Sequence, residues 1–170
     1  MIEKVILVTG GIALLPYCSS DSERLSTAVK NLKIKTSDEE LLVEIVEAML
    51  PPSDIPGATE LGIDRFVLVM ADDCMTKPEQ DMFVKGLRGF GMFVKKCFEK
   101  SFLNANQTER EEMITSAFTT RESELEDIKF FLERAKRFTI RGFMSSEYVM
   151  TKVFPYKLIP GPFRGCVPTN

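Results

Sequence analysis

The sequence of 170 residues contains no histidine. This absence excludes Ser/His and Cys/His activation of a nucleophile, imidazole ligands for a metal ion and a proximal histidine for haem. It also removes the side chain that most often transfers protons near neutral pH. Carboxylate, lysine, tyrosine and cysteine chemistry remain available, so the absence disfavours independent catalysis by this chain without excluding it.

The chain also lacks an excess of positive charge. Lys and Arg number 22 against 25 Asp and Glu, which gives a formal charge of -3 and a pI of about 5.2. No stretch rich in Lys and Arg reverses this balance along the sequence. A phosphate backbone is bound through a cationic surface, so nucleic acid is not expected as a partner.

Cysteine is sparse, and its spacing argues against a metal site. There is no CxxC motif and no histidine to complete a ligand set, so we predict no zinc, no iron–sulfur cluster and no other cofactor in this chain. A single helix over 78–98 would place Cys97 about 30 Å from the turn beside Cys74, which argues against a disulfide between them. Cys74 and Cys97 could each simply be a buried small apolar residue, which is about as good an explanation as any functional one. The four cysteines are Cys18, Cys74, Cys97 and Cys166.

The N-terminus contains one apolar run, Val5 to Leu15, followed by Pro-Tyr-Cys and an abrupt polar stretch. Its length is that of the core of a signal peptide and is too short to span a bilayer as a helix. We expect residues 1–18 to be an export signal that places the mature domain in the cell envelope. The stretch before Cys18 resembles a lipoprotein processing site, although Tyr17 replaces the usual small residue, so Cys18 is a candidate for lipidation. The alternative is a buried strand or short core helix at the start of the fold.

Residues 19–36 are mixed and polar and are predicted to be a tether. From there the sequence predicts one domain, 37–170, whose helices are recognised by apolar residues three and four positions apart. Sustained period-two alternation is absent, so we expect an all-α fold of about five helices with an extended C-terminal arm over 143–170. The first helix is predicted from a capping box at Ser37–Glu40 to Pro51, and the next two over 63–74 and 78–98. The fourth is predicted to start at Gln107–Glu111, where Thr108 and Glu111 can form a capping box. Two more are predicted over 124–142, after a capping box at Ser123 and Glu126, and over about 146–152.

Two features of these helices resemble binding sites but are better explained by solvent exposure or by helix packing. Asp72 and Asp73 end the second helix, where they oppose its dipole, and we expect them to face solvent rather than a cation or a partner. The string GLRGFG, with Gly86, Gly89 and Gly91, lies inside an amphipathic pattern rather than after a strand. It is therefore not a dinucleotide-binding loop, and close helix packing or a helix break is expected there.

The C-terminal arm is aromatic and rich in proline and glycine, which keeps it extended and lowers the entropy lost when it docks. Such an arm suits a groove, either on its own domain or on a neighbour. The tail GFMSSEYVMTKVFPYKLIPGPFRGCVP resembles the C-terminal signature of the gluconate 2-dehydrogenase subunit 3 family. The stretch LLVEIVEAMLPPSDIPGATELGIDRFVLVMADDC resembles the second hallmark of that family, and together the two motifs extend the resemblance over about 38–168.

The resemblance implies a non-catalytic small subunit of an FAD-dependent sugar or polyol dehydrogenase, of gluconate or glucoside type, in the periplasm or cell envelope. The large flavoprotein subunit would hold the FAD and the substrate, a cytochrome c subunit would accept the electrons, and the small subunit would help export or mature its partner. The twin arginine usual at the N-terminus of the family is absent here; a lipoprotein route or a misplaced start codon would each explain this. The expected interface residues are Phe143, Tyr148, Phe154, Tyr156, Pro160, Gly161, Phe163 and Cys166.

The C-terminal arm and the function of the chain each admit more than one interpretation. Cys166 is either an intersubunit disulfide or buried contact, or an inert or intrachain thiol. The aromatic residues around it either anchor the partner or pack back on the parent domain. Two other hypotheses need no flavoprotein partner: a lipid-anchored scaffold, and an envelope enzyme that uses carboxylates such as Asp72, Asp73 or Glu147 as acid and base.

Overall fold

A computed structural model describes residues 29–120, 125–154 and 161 of the chain. The described part is all-α, and no strand occurs in it. Five helices follow one another, which confirms the predicted class and helix count. They are α1 (Thr36–Met49), α2 (Ile63–Cys74), α3 (Lys77–Phe98), α4 (Gln107–Thr119) and α5 (Glu126–Met144), with a 3₁₀ turn at Phe102–Asn104 and a π-helical turn at Val149–Val153.

The antiparallel pair of α3 and α5 forms the centre of the domain. Gly86 allows the close approach, since a Cβ at this position would lie 2.1 Å from the carbonyl oxygen of Asp127 and 2.6 Å from Cβ of Phe131. The rings of Phe83 and Phe131 meet edge to face beside it, with centroids 4.9 Å apart. Lys85 pairs with Asp127 across the same contact. Of the two expectations for the glycines, close helix packing is confirmed, and α3 continues through them without a break.

The remaining helices cover this pair and complete one hydrophobic core. On α1 the buried residues include Leu42, Ile45 and Val46, and on α2 they include Val67 and Leu68. The N-terminal end of α2 lies against the C-terminal end of α5, because Gly142 there leaves room for Ile63 and Phe66. No helix in the described residues has both the length and the apolar character needed to cross a bilayer.

Two predicted helix caps are wrong by two residues, since Lys35 and Asn106 occupy the N-cap positions predicted for Ser37 and Thr108. α1 begins at Thr36, and the group that closes its first turn is Asp38, which accepts a hydrogen bond from the backbone N–H of Lys35 at 3.0 Å. The tertiary contact decides this register, because Asp38 also binds Arg88 of α3 at 2.7 Å. With Ser37 as the N-cap, the third helical position, which closes the capping box, would be Glu40 instead of Asp38.

α4 begins at Gln107 as predicted, but its capping residue differs for a local reason. Asn106 caps the helix by accepting from the N–H of Glu109 at 3.0 Å, and Glu109 accepts in return from the N–H of Asn106 at 2.8 Å. The box predicted at Thr108–Glu111 therefore lies two residues too late. Asn is at least as good a cap as Thr, and Glu109 gains a further ion pair with Lys100. Ser123, the predicted cap of α5, is outside the described residues.

Candidate functional site

The candidate site is the end of α5 and the segment that follows it, where the predicted interface residues begin. Two serines turn the chain there. The N–H of Ser146 donates to the carbonyl of Phe143 at 3.0 Å, and the Ser146 hydroxyl donates to the same carbonyl at 2.7 Å. A π-helical turn follows, and its first residue, Val149, is buried and anchors the segment to the domain.

The predicted interface residues have different environments. Phe143 is half-buried and packs against the hydrophobic core, and Tyr148 is also half-buried. Phe154 is 55% exposed, and Gly161 is exposed with φ +80, a conformation that favours glycine. Phe143 therefore serves the parent domain at least in part, whereas Phe154 faces solvent. Tyr156, Pro160, Phe163 and Cys166 lie outside the described residues, as does the lipidation candidate Cys18.

Large apolar side chains are exposed at this end of the molecule. Ile140 is 54% exposed, Met144 49%, Val153 50% and Phe154 55%. Ile140 and Met144 are four positions apart and therefore lie on one face of α5. Val153 and Phe154 are consecutive in the segment that follows α5. Neighbouring large apolar residues that are exposed are typical of a surface that another molecule covers. We refer to Ile140, Met144, Val153 and Phe154 as the apolar end.

Cations surround part of the apolar end. Lys136, Arg137 and Arg141 are exposed on α5, and no carboxylate among the described residues lies within ion-pair distance of them. Arg141 is in the last turn of α5, where the helix dipole accounts for a positive charge. Lys136 and Arg137 lie about two turns before that end, so the dipole does not account for them.

Asp72 has a role that the sequence analysis did not predict. Its carboxylate is buried at the end of α2 and accepts hydrogen bonds from three consecutive backbone N–H groups, those of Lys30 at 2.9 Å, Asn31 at 2.8 Å and Leu32 at 2.7 Å. Lys77 holds the same segment by donating to the carbonyl of Asn31 at 2.8 Å. We call these contacts the Asp72 clamp. The expectation that Asp72 faces solvent is wrong, since the carboxylate fixes the segment before α1.

The ionisation of Asp72 follows from these contacts. Burial by itself would raise its pKa, but the backbone N–H groups of Lys30, Leu32 and Asn31 stabilise the charged form and hold the pKa below the usual value. The ionised carboxylate of Asp72 therefore stabilises the fold, and it is poorly suited to accept a proton from a substrate. A signal for this role was present in the sequence, because position 72 falls four residues after the buried Leu68 on the same helical face.

The carboxylate-enzyme hypothesis gains no support from the placement of its residues. Asp73 and Glu147 are exposed, so Asp72 is the only one of the three that is buried. No group of three or more Asp, Glu or Cys side chains within the described residues is placed to bind a metal ion. Cys74 and Cys97 are free thiols exposed to solvent, so their interpretation as buried apolar residues is wrong.

Comparison with known proteins gives a match over most of the chain. A family model described as gluconate 2-dehydrogenase subunit 3 matches residues 36–161, which includes all five helices, the apolar end, the whole of the first sequence motif and the tail motif as far as Gly161. Searches of curated proteins and of solved structures found no match. The family match confirms the resemblance inferred from the two motifs, and the chain belongs to the gluconate 2-dehydrogenase subunit 3 family.

Proposed function

We propose that this chain is a non-catalytic accessory subunit that binds the FAD-carrying large subunit of a sugar or polyol dehydrogenase in the cell envelope, and helps to export or mature it. The observation that carries the proposal is the family match over residues 36–161. The FAD and the substrate site belong to the large subunit, and a cytochrome c subunit is the expected electron acceptor.

The surface of the domain is consistent with such a role. The apolar end leaves four large side chains about half exposed, and Phe154 immediately precedes the first proline of the arm, Pro155. Burial of apolar area is the main favourable term in protein association. We propose that the arm, with Tyr156, Phe163 and Cys166, continues this surface onto the large subunit.

The test is an affinity purification of the chain from the envelope of its native host, read by the flavin absorbance of the eluate and by a non-reducing gel. A yellow complex containing a larger polypeptide supports the proposal. Well-folded, exported chain that elutes as a colourless monomer contradicts it and favours a self-contained envelope protein.

One of the alternatives for Cys166, an intersubunit disulfide, can be tested in the same experiment. Cys166→Ser should remove the large covalent band from the non-reducing gel, whereas the matched variant Cys97→Ser, which alters an exposed thiol on α3, should leave it unchanged. If both variants keep the band, Cys166 does not form the bridge.

The envelope location has a separate test. If residues 1–18 form a lipoprotein signal, Cys18→Ala should move the mature chain from the membrane fraction to the soluble fraction or block its processing. Unchanged membrane association in this variant would exclude lipidation at Cys18.

A further inference from the structure

A groove runs beside the apolar end, between α4 and the second half of α5. It consists of two depressions of about 380 and 360 Å³ that share Phe118, Lys136 and Ile140. Met49 and Ile114 extend the floor of the first depression towards α1. We call this feature the α4–α5 groove. Its floor is mainly apolar, so it offers a concave surface where an apolar side chain would be shielded from water.

The α5 side of the groove carries more cations than carboxylates. Lys136 lines both depressions and Arg137 lines the second, and neither pairs with a carboxylate among the described residues. Two carboxylates also reach the groove: Glu111, which accepts a hydrogen bond from Gln107 at 2.7 Å, and Glu133. Arg141, one turn beyond Arg137, adds a further positive charge on the same face of α5.

Elsewhere in the domain, several arginines form ion pairs with carboxylates on a neighbouring helix. Arg88 binds Asp38, Arg110 binds Glu44 and Arg134 binds Glu79. Within the described part of the chain Lys136, Arg137 and Arg141 have no such partner, although the chain as a whole is acidic. Cations beside an apolar groove complement a segment that carries both carboxylates and an apolar side chain.

We infer that the α4–α5 groove binds an acidic segment of the large subunit, with an apolar side chain seated over Phe118 and Ile140 and with carboxylates facing Lys136 and Arg137. This inference rests on the proposed function, because the partner it names is the flavoprotein. A concave groove suits a protruding protein segment better than the flat surface of an anionic membrane, which is the competing occupant.

Charge reversal tests the inference in the complex purified from the native host. Lys136→Glu with Arg137→Glu should weaken the complex about tenfold or more, because it places like charges against the acidic segment. The matched control is Lys95→Glu with Lys96→Glu, which makes the same charge change on two exposed residues at the end of α3. The control should leave the affinity unchanged, and circular dichroism should show native helix content for both variants.

A photo-crosslinker at position 140 identifies the occupant. Ile140 replaced by p-benzoylphenylalanine should cross-link to a peptide of the flavoprotein that contains Asp or Glu, whereas the same probe at Met92, which is 67% exposed on α3, should not. Vesicles of phosphatidylglycerol and phosphatidylcholine test the membrane as the competing occupant. Binding to these vesicles that Lys136→Glu with Arg137→Glu abolishes, without any effect on the complex, would overturn the inference in favour of lipid.

The outcomes distinguish this inference from the proposed function. If the wild-type chain yields no flavin-containing complex, both fail. If a yellow complex forms but tolerates the reversal at 136 and 137 as well as it tolerates the reversal at 95 and 96, the accessory role stands and the groove is not its binding site.

Discussion

The two halves of α5 differ in how many of their side chains pack or form ion pairs within the described part of the domain. In the first half Asp127 and Phe131 contact α3 closely, with an ion pair to Lys85 and an edge-to-face ring contact to Phe83. In the second half the outer face of the helix, including Ile140, remains exposed beside cations that have no partner in the described residues. The same helix therefore stabilises the domain at one end and offers a surface at the other. Stability and binding should respond to different substitutions along α5.

The largest difference is expected between Phe131 and Phe154. Phe131 is fully buried, so Phe131→Ala should lower the free energy of unfolding by about 3–5 kcal/mol through lost burial and a residual cavity. Phe154 is 55% exposed, and Phe154→Ala should change the free energy of unfolding by less than about 0.5 kcal/mol. Urea denaturation of the isolated domain measures both values. Equal losses would show that the apolar end belongs to the core.

The close contact of α3 with α5 gives the next effect. Gly86→Ala would place a Cβ against the backbone of Asp127, which a side-chain movement cannot relieve, and should cost about 1–3 kcal/mol or more. Gly91→Ala is the matched control on the same helix, because its Cβ would lie 3.1 Å from the end of the Leu41 side chain. There the higher helix propensity of alanine should offset the contact. If thermal denaturation shows equal losses, the tight approach at Gly86 is not a determinant of stability.

The Asp72 clamp should have an intermediate effect on stability that depends on pH. Asp72→Asn replaces one acceptor oxygen by an NH₂ group that faces backbone donors, and should cost about 2 kcal/mol at pH 7. The exposed neighbour provides the control, Asp73→Asn, with a change below about 0.5 kcal/mol.

The direction of the pH dependence follows from the lowered pKa. Because the folded-state pKa of Asp72 lies below its usual value of 3.8, its stabilisation is present above that value and is lost as the pH falls through the folded-state pKa. The difference in unfolding free energy between wild type and Asp72→Asn should therefore shrink in acid. A difference that stays constant from pH 7 to pH 2 would contradict this assignment.

The local helix signals were sufficient to predict the fold class, because the apolar residues of each helix recur at helical spacing. Contacts between distant residues were not predictable in this way. The start of α1 is set by the contact of Asp38 with Arg88, 50 residues away, and the role of Asp72 depends on a segment about 40 residues earlier. The candidate site depends on such contacts in part: Phe154, a predicted interface residue, lies at the apolar end, whereas Lys136 and Ile140 line a groove that exists only because α4 packs beside α5.

The smallest effect is expected at the two left-handed positions that flank α2 and α3. Glu99 ends α3 with φ 52, where a side chain is strained and glycine is favoured, so Glu99→Gly should raise the free energy of unfolding by about 0.5–1 kcal/mol. Gly62 precedes α2 with φ +65 and has open space around it, so Gly62→Ala should lower the free energy by a similar amount through backbone strain alone. Neither position lies on α5, so both variants should bind the partner with unchanged affinity. A loss of binding in either variant would mean that the partner surface extends well beyond the second half of α5.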